Sequence, residues 1–226
     1  MKVIYDSGMP ISFKGSMVLK ACLMEAGYVE ETRHTVDIDA NWNSEDSITA
    51  EQILESLQLA LDESDLKLDL HIYRFPGEKR SAGFEVLDRA AKEVLFTIDI
   101  DVNRPVPETR IYEIEGIRFR GASPAVMIAD KVASISTDKV FRRIKDVVDL
   151  YYISKVFEFD LERVYSAIKD SGRDLGDFNG FLYRVADLDH SYQKFRFSGG
   201  VNKPSFEQVY EGAKSFVSGI IPHAID

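Results

Sequence analysis

Arg33-His34-Thr35-Val36-Asp37-Ile38-Asp39 ends in the two-residue alternation of a β-strand. Side chains two apart on a strand share a face. Asp37 and Asp39 therefore present two carboxylates side by side, while Val36 and Ile38 turn towards a core. Paired carboxylates repel unless positive charge lies between them. A hard cation such as Mg²⁺ meets that need and usually brings substrate phosphates with it. Upstream, Phe13-Lys14-Gly15-Ser16 leads into a helical run. A Gly-Ser turn opening a helix offers backbone N–H groups to a phosphate. Together the two features predict a metal and nucleotide site.

The remaining chain divides in character. Residues Ser16 to Ala26 read as a helix stopped by Gly27, and Val36 to Ala40 as a strand. Thr49-Ala50-Glu51-Gln52 has the form of a capping box, followed by the helical period Ile53, Leu57, Leu61. Lys67 to Arg74, Gly83 to Leu87 and Val94 to Val102 alternate as strands, with a turn at Asp88-Arg89-Ala90-Ala91-Lys92. No helix-length crossover separates them, so they are expected to run antiparallel. Two short strands follow Arg104-Pro105-Val106-Pro107, around Ile111 to Ile114 and Ile117 to Arg120. Ser123-Pro124 then opens a helix to about Ile135. Further helices are expected over Val140 to Val156 and Leu161 to Lys169, then a polar irregular segment from Gly172 to Gly180. Ser198-Gly199-Gly200 reads as a loop, and a capping box at Ser205-Phe206-Glu207-Gln208 starts a last helix. The expected fold is α+β: a mixed or antiparallel sheet core over residues 1–121, then a helical region over 122–226.

Composition narrows the class. A chain of 226 residues that is 45% hydrophobic can bury a substantial core. Its net charge of −10 argues against broad, non-specific nucleic-acid affinity, which depends on neutralising phosphates, though not against a local basic patch. No stretch approaches the ~20 apolar residues of a membrane span, and the first residues lack the apolar run of a signal peptide. The single Cys22 cannot form an internal disulfide. A cytoplasmic protein is the expectation. His34, His71, His190 and His223 lack zinc-ligand spacing.

Phe96-Thr97-Ile98-Asp99-Ile100-Asp101-Val102 is a second strand carrying alternate carboxylates. Beside the Asp37/Asp39 strand it would bring three or four carboxylates together. Such a cluster can hold two cations ~3.5–4 Å apart, the arrangement that clamps attacking and leaving oxygens in phosphoryl transfer. The alternative is that both pairs are solvated faces of half-buried strands.

Several motifs in order resemble the nucleotidyltransferase (polymerase-β-like) fold: Lys14-Gly15-Ser16, then Arg33-His34-Thr35 with Asp37-Ile38-Asp39, then Ile98-Asp99-Ile100. More narrowly, the chain resembles the AbiEii-type nucleotidyltransferase toxins. The helix through Ala129-Asp130-Lys131 resembles the one carrying that family's functional lysine. Arg143-Ile144-Lys145-Asp146-Val147-Val148-Asp149-Leu150-Tyr151 resembles its Arg-x-Lys-Asp-x-x-Asp-Leu-Tyr helix. The turn reads Gly15-Ser16-Met17 where many members have Gly-Gly-Thr or Gly-Gly-Ser.

The resemblance implies transfer of a nucleoside monophosphate from a nucleoside triphosphate to a tRNA end or a protein, with pyrophosphate released. It also implies a toxin of a toxin–antitoxin system, partnered by an antitoxin. In it Asp37, Asp39 and Asp99 would bind Mg²⁺, with Asp99 the general base, although Asp101 is its neighbour on the same face. Lys14, Gly15, Ser16 and Arg33 would contact the nucleotide; Lys131 would face its phosphates, and Asp146 would orient Lys131 or the acceptor. A catalytically silent nucleotide- or partner-binding module of the same fold is the alternative.

Plainer roles stand beside these. From the sequence alone Lys131 reads as a surface lysine near a helix terminus, and Arg33 either as a phosphate contact or as a surface charge before a strand. Asp146 and Asp149 read as polar positions on a helix whose apolar stripe is Ile144, Val147, Val148 and Tyr151, with Asp149 paired to Lys145. Lys139, Arg142, Arg143 and Lys145 form a basic cluster open either to RNA or to acidic side chains.

Overall fold

The computed structural model describes residues 1–28, 37–77, 81–197 and 203–221. Arg33 and the loop expected at Ser198-Gly199-Gly200 lie outside these residues. The chain forms two compact units, Met1–Ala21 with Thr35–Ala122, and Cys22–His34 with Ser123–Asp226.

The first unit is built on a seven-stranded mixed sheet in the order β3-β4-β5-β2-β1-β7-β6. Its strands are β1 (Ile11–Lys14), β2 (Asp37–Trp42), β3 (Leu68–Arg74), β4 (Ala82–Asp88), β5 (Val94–Asp101), β6 (Thr109–Ile114) and β7 (Ile117–Ala122). The β3-β4-β5 run is antiparallel, and β3 is an edge. The Asp88 carboxylate accepts from the N–H groups of Ala90 and Ala91, which turns β4 into β5. Parallel contacts join β2 to β5 and β1 to β7. The two carboxylate-bearing strands are therefore direct neighbours. β2 runs two residues beyond the expected Ala40, because Ile11 and Ser12 give Trp42 and Asn41 ladder partners.

Alternation sorts the sheet into two faces. The apolar one carries Ile38, Leu70, Val86, Phe96 and Ile98, which with α1 (Lys2–Asp6) and α3 (Ala50–Asp62) line an apolar cavity of about 590 Å³. Thr49 and Gln52 close the capping box at the start of α3. The polar face of the same strands carries Asp37, Asp39, Thr97 and Asp99.

The second unit is helical: α4 (Pro124–Ile135), α5 (Ile144–Ile153), α6 (Leu161–Asp170), α7 (Asn179–Tyr183), α8 (Val185–Lys194) and α9 (Phe206–Phe216). Ser123 caps α4 and Ser205 forms a capping box with Gln208 on α9. Val132, Val147, Val148, Ile153, Val164, Phe181, Leu188 and Val209 form its core. The helix expected over Val140 to Val156 is shorter. A 3-10 turn occupies Val140–Arg143, and α5 begins at Ile144. The tighter turn buries both Val140 and Ile144 and lets Arg143 donate to Ser134 Oγ at 3.0 Å. The helix α2 (Gly15–Glu25) ends before Gly27, as its stop signal predicts, and Cys22 on it is buried. No helix among the described residues is long and apolar enough to cross a membrane.

Candidate active site

Strand register assembles the site. Lys14 lies opposite Asp39, Asp39 beside Asp99, Asp99 beside Gly83, and Gly83 beside Arg74. Residues in register across a sheet share a face, with strands ~4.7–4.9 Å apart. A single row across five strands thus reads Lys14, Asp39, Asp99, Gly83, Arg74. One pair to one side lie Asp37 and Thr97; one pair to the other lie Asn41 and Asp101. Asp99, not Asp101, is the carboxylate level with Asp39.

The turn after β1 is fitted to this row. Gly15 has φ +69°, in the left-handed region that side chains resist. A Cβ there would stand 2.7 Å from Asp39 Oδ2. Backbone and carboxylate thus share space that any other residue would fill. The helix α2 starts at this point, so the N–H groups of its first turn open beside Asp39.

The side chains have distinct partners. Thr97 Oγ1 donates to Asp37 Oδ1 at 3.1 Å. The Tyr73 hydroxyl donates to Asp99 Oδ1 at 2.7 Å, and Arg74 lies 2.7 Å from the same oxygen. Neighbouring strand residues ordinarily point to opposite faces. A register shift between Ile72 and Arg74 lets Tyr73 and Arg74 both reach Asp99. Lys14 Nζ is 3.9 Å from Asp101 Oδ2, and Asp101 Oδ1 caps the Asn103 N–H. The hydrogen bond to Asp99 raises the Arg74 pKa, aided by the charge of Asp39. Burial, then the bond to Asp99, raises that of Tyr73.

Among the described residues, no three His, Cys, Asp or Glu side chains stand close enough together to hold a metal ion. Asp37, Asp39 and Asp99 share one face through backbone register, but their side chains do not converge. The donor set still fits a hard divalent cation: three carboxylates on two adjacent strands, one packed against a helix start.

The second unit holds the other candidates. Lys131 Nζ lies 2.8 Å from Asp146 Oδ1 and 2.6 Å from Asp149 Oδ2. The side chains are 8%, 5% and 1% exposed. Arg143 Nε adds a contact to Asp146 Oδ2 at 3.3 Å. Burial pulls the Lys131 pKa down, but the charges of Asp149 and Asp146 outweigh it and raise the pKa. Lys131 is therefore a charged, buried ammonium joining α4 to α5, not a surface lysine. Asp149, expected on the helix surface beside Lys145, is instead buried against Lys131.

Sequence reasoning passed over Tyr73, Arg74 and Gly83. Arg74 closes an alternating strand and gives no other signal; the register shift that aims it at Asp99 arises from pairing with β4.

A sheet flanked by helices, with paired aspartates level with a glycine turn, defines a nucleotidyltransferase-like protein. The model of the nucleotidyl transferase AbiEii toxin of type IV toxin–antitoxin systems matches residues 5–212, and the chain belongs to that family of nucleotidyltransferases. The nucleotidyltransferase toxin MenT4 of Mycobacterium tuberculosis H37Rv shares the fold, with a TM-score of 0.57 and 16% identity over 96% of this chain and 80% of that one. An antigenic nucleotidyltransferase-like protein from Paracoccidioides brasiliensis gives 0.49 and 13% over 88% and 90%. No curated protein matches by sequence.

Proposed function

We propose that the chain transfers a nucleoside monophosphate from a nucleoside triphosphate to a hydroxyl of a tRNA end or a protein, as the toxin controlled by an antitoxin. The observation that carries this is the row Lys14-Asp39-Asp99 set against the Gly15 turn and the start of α2. It joins a carboxylate pair, a cation and the positive end of a helix at one place.

In this reading Asp37, Asp39 and Asp99 hold Mg²⁺, which when bound offsets charge on the triphosphate and on the leaving pyrophosphate. Lys14 and the N–H groups following Gly15 bind and orient the terminal phosphates. Asp99 takes the proton of the acceptor hydroxyl. The acceptor oxygen then bonds to the α-phosphorus as the bond to the β-phosphate oxygen breaks, and pyrophosphate leaves. Lys131 is neutralised where it stands by Asp146 and Asp149, which supports a structural role for all three. Arg33 remains a proposed phosphate contact from the motif alone.

The test is pyrophosphate release from each nucleoside triphosphate with Mg²⁺, in the presence of RNA or of protein acceptor. Acceptor-dependent release with wild type, lost in Asp37→Ala, is expected. Release that survives that substitution overturns the assignment.

A further inference from the structure

The Asp99 carboxylate already has a cation. Arg74 lies 2.7 Å from Asp99 Oδ1, and its Nε donates to the Ser81 carbonyl at 2.9 Å. The same Oδ1 accepts the Tyr73 hydroxyl at 2.7 Å. The guanidinium also lies 5.2 Å from the centre of the Tyr73 ring, a cation–π distance. Three features hold this arm in place. The register shift in β3 turns both side chains to one face. Ser81 anchors the inner nitrogen. Gly83 leaves room for the ring: a Cβ there would stand 2.5 Å from Tyr73 Cζ. The Arg74 side chain is 31% exposed, so a ligand arriving from solvent can reach it.

A divalent cation and a guanidinium on the same carboxylate repel each other across a few ångströms, so each weakens the binding of the other. A planar guanidinium also pairs with phosphate oxygens as readily as with a carboxylate. We propose that Arg74 is an exchangeable counter-ion: it neutralises Asp99 in the free protein and passes to the triphosphate when a divalent cation takes Asp99. The proposal rests on the nucleotidyltransferase reading of the same site. It adds a nucleotide-binding residue to that site.

The exchange makes two opposite demands on one side chain. Without nucleotide, Arg74 competes with the metal. With nucleotide, it binds the substrate. Removing it should therefore strengthen metal binding while weakening nucleotide use, a combination that simple loss of structure does not produce.

The experiment titrates Mn²⁺ into wild type, Arg74→Gln, Arg74→Lys and Asp39→Ala, reading free Mn²⁺ by electron paramagnetic resonance. The KM for the nucleoside triphosphate is measured alongside, with circular dichroism to confirm folding. Arg74→Gln is expected to bind Mn²⁺ roughly tenfold more tightly without nucleotide and to raise KM about tenfold. Arg74→Lys keeps the charge, so its Mn²⁺ affinity stays near wild type; it loses the two-pronged geometry, so its KM still rises. It also decides the matter if Arg74→Gln fails to fold: tighter Mn²⁺ binding or an unchanged KM in Arg74→Lys would refute the exchange. Unchanged or weaker Mn²⁺ binding in folded Arg74→Gln overturns the competition, and an unchanged KM overturns the transfer to phosphate. Asp39→Ala separates this failure from that of the underlying site. If Asp39→Ala binds Mn²⁺ like wild type, the metal assignment itself is wrong, whatever Arg74 does.

Discussion

Replacing Gly15 with alanine tests the turn that joins the helix start to the acidic row. The backbone sits at φ +69°, where an L side chain costs about 1–2 kcal/mol. The added Cβ would lie 2.7 Å from Asp39 Oδ2, whereas ordinary contact begins near 3.4 Å, so carboxylate and turn must separate by about 0.7 Å. Strain and displacement together should cost ~1–3 kcal/mol of stability. At ~2–4 °C per kcal/mol for a chain of this size, the melting midpoint falls by about 2–12 °C. The chemical effect should be larger than the structural one. A misplacement of about 1 Å can cost on the order of 10²-fold in rate, so transfer should drop by tens-fold to about a hundredfold. The assay pairs a thermal melt with initial rates of pyrophosphate release at saturating nucleotide. A Gly15→Ala protein with wild-type melting and wild-type rate would refute the claim that this glycine cradles Asp39.

Lys131→Met should leave Asp146 and Asp149 buried without their cation, at a cost of about 3–5 kcal/mol by thermal or urea unfolding; loss of transfer with unchanged stability would instead make Lys131 a substrate contact. Because the folded-state pKa of Lys131 is raised, its stabilisation is complete below the ordinary lysine value, about 10.4, and fades only as pH climbs through the higher folded one. The stability gap between wild type and Lys131→Met should therefore stay constant from about pH 7 to 9.5; a gap that closes within that window contradicts the assignment. Ser12 is buried with no hydrogen-bond partner for its hydroxyl among the described residues, so Ser12→Ala should be neutral or stabilising by up to ~1 kcal/mol. A loss of more than that in a thermal melt would show that Ser12 has a partner.

The sequence carries the local rules of this fold well. Period-two alternation places Asp37 and Asp39 on one face, and the Thr49/Gln52 and Ser205/Gln208 boxes mark two helix starts that form as written. The antiparallel run of β3, β4 and β5 follows from short connections alone. What depends on distant pairing is not legible. The register shift that aims Tyr73 and Arg74 at Asp99 comes from the match of β3 to β4, which no periodicity in β3 announces. Lys131 reads as a surface residue because one strand of sequence cannot show that Asp146 and Asp149, on another helix, face it. In α5 the polar pair looks like the wet side of an amphipathic helix, yet both carboxylates are buried, since burial here is decided by the ammonium across the interface. The helix α8 was beyond the periodic signal: charged positions such as Asp187, Asp189 and Lys194 dilute a stripe anchored by the buried Leu188 and Tyr192.

The central claim is that Asp39 anchors nucleotidyl transfer. Its most direct measurement is incubation of purified wild type and Asp39→Ala with each α-³²P-labelled nucleoside triphosphate, Mg²⁺ and separate total RNA or protein fractions. The account predicts label in a discrete RNA or protein band with wild type, and none with an Asp39→Ala protein that melts like wild type. Equal labelling by the two proteins, or none by wild type with any triphosphate despite measurable nucleotide binding, would contradict it.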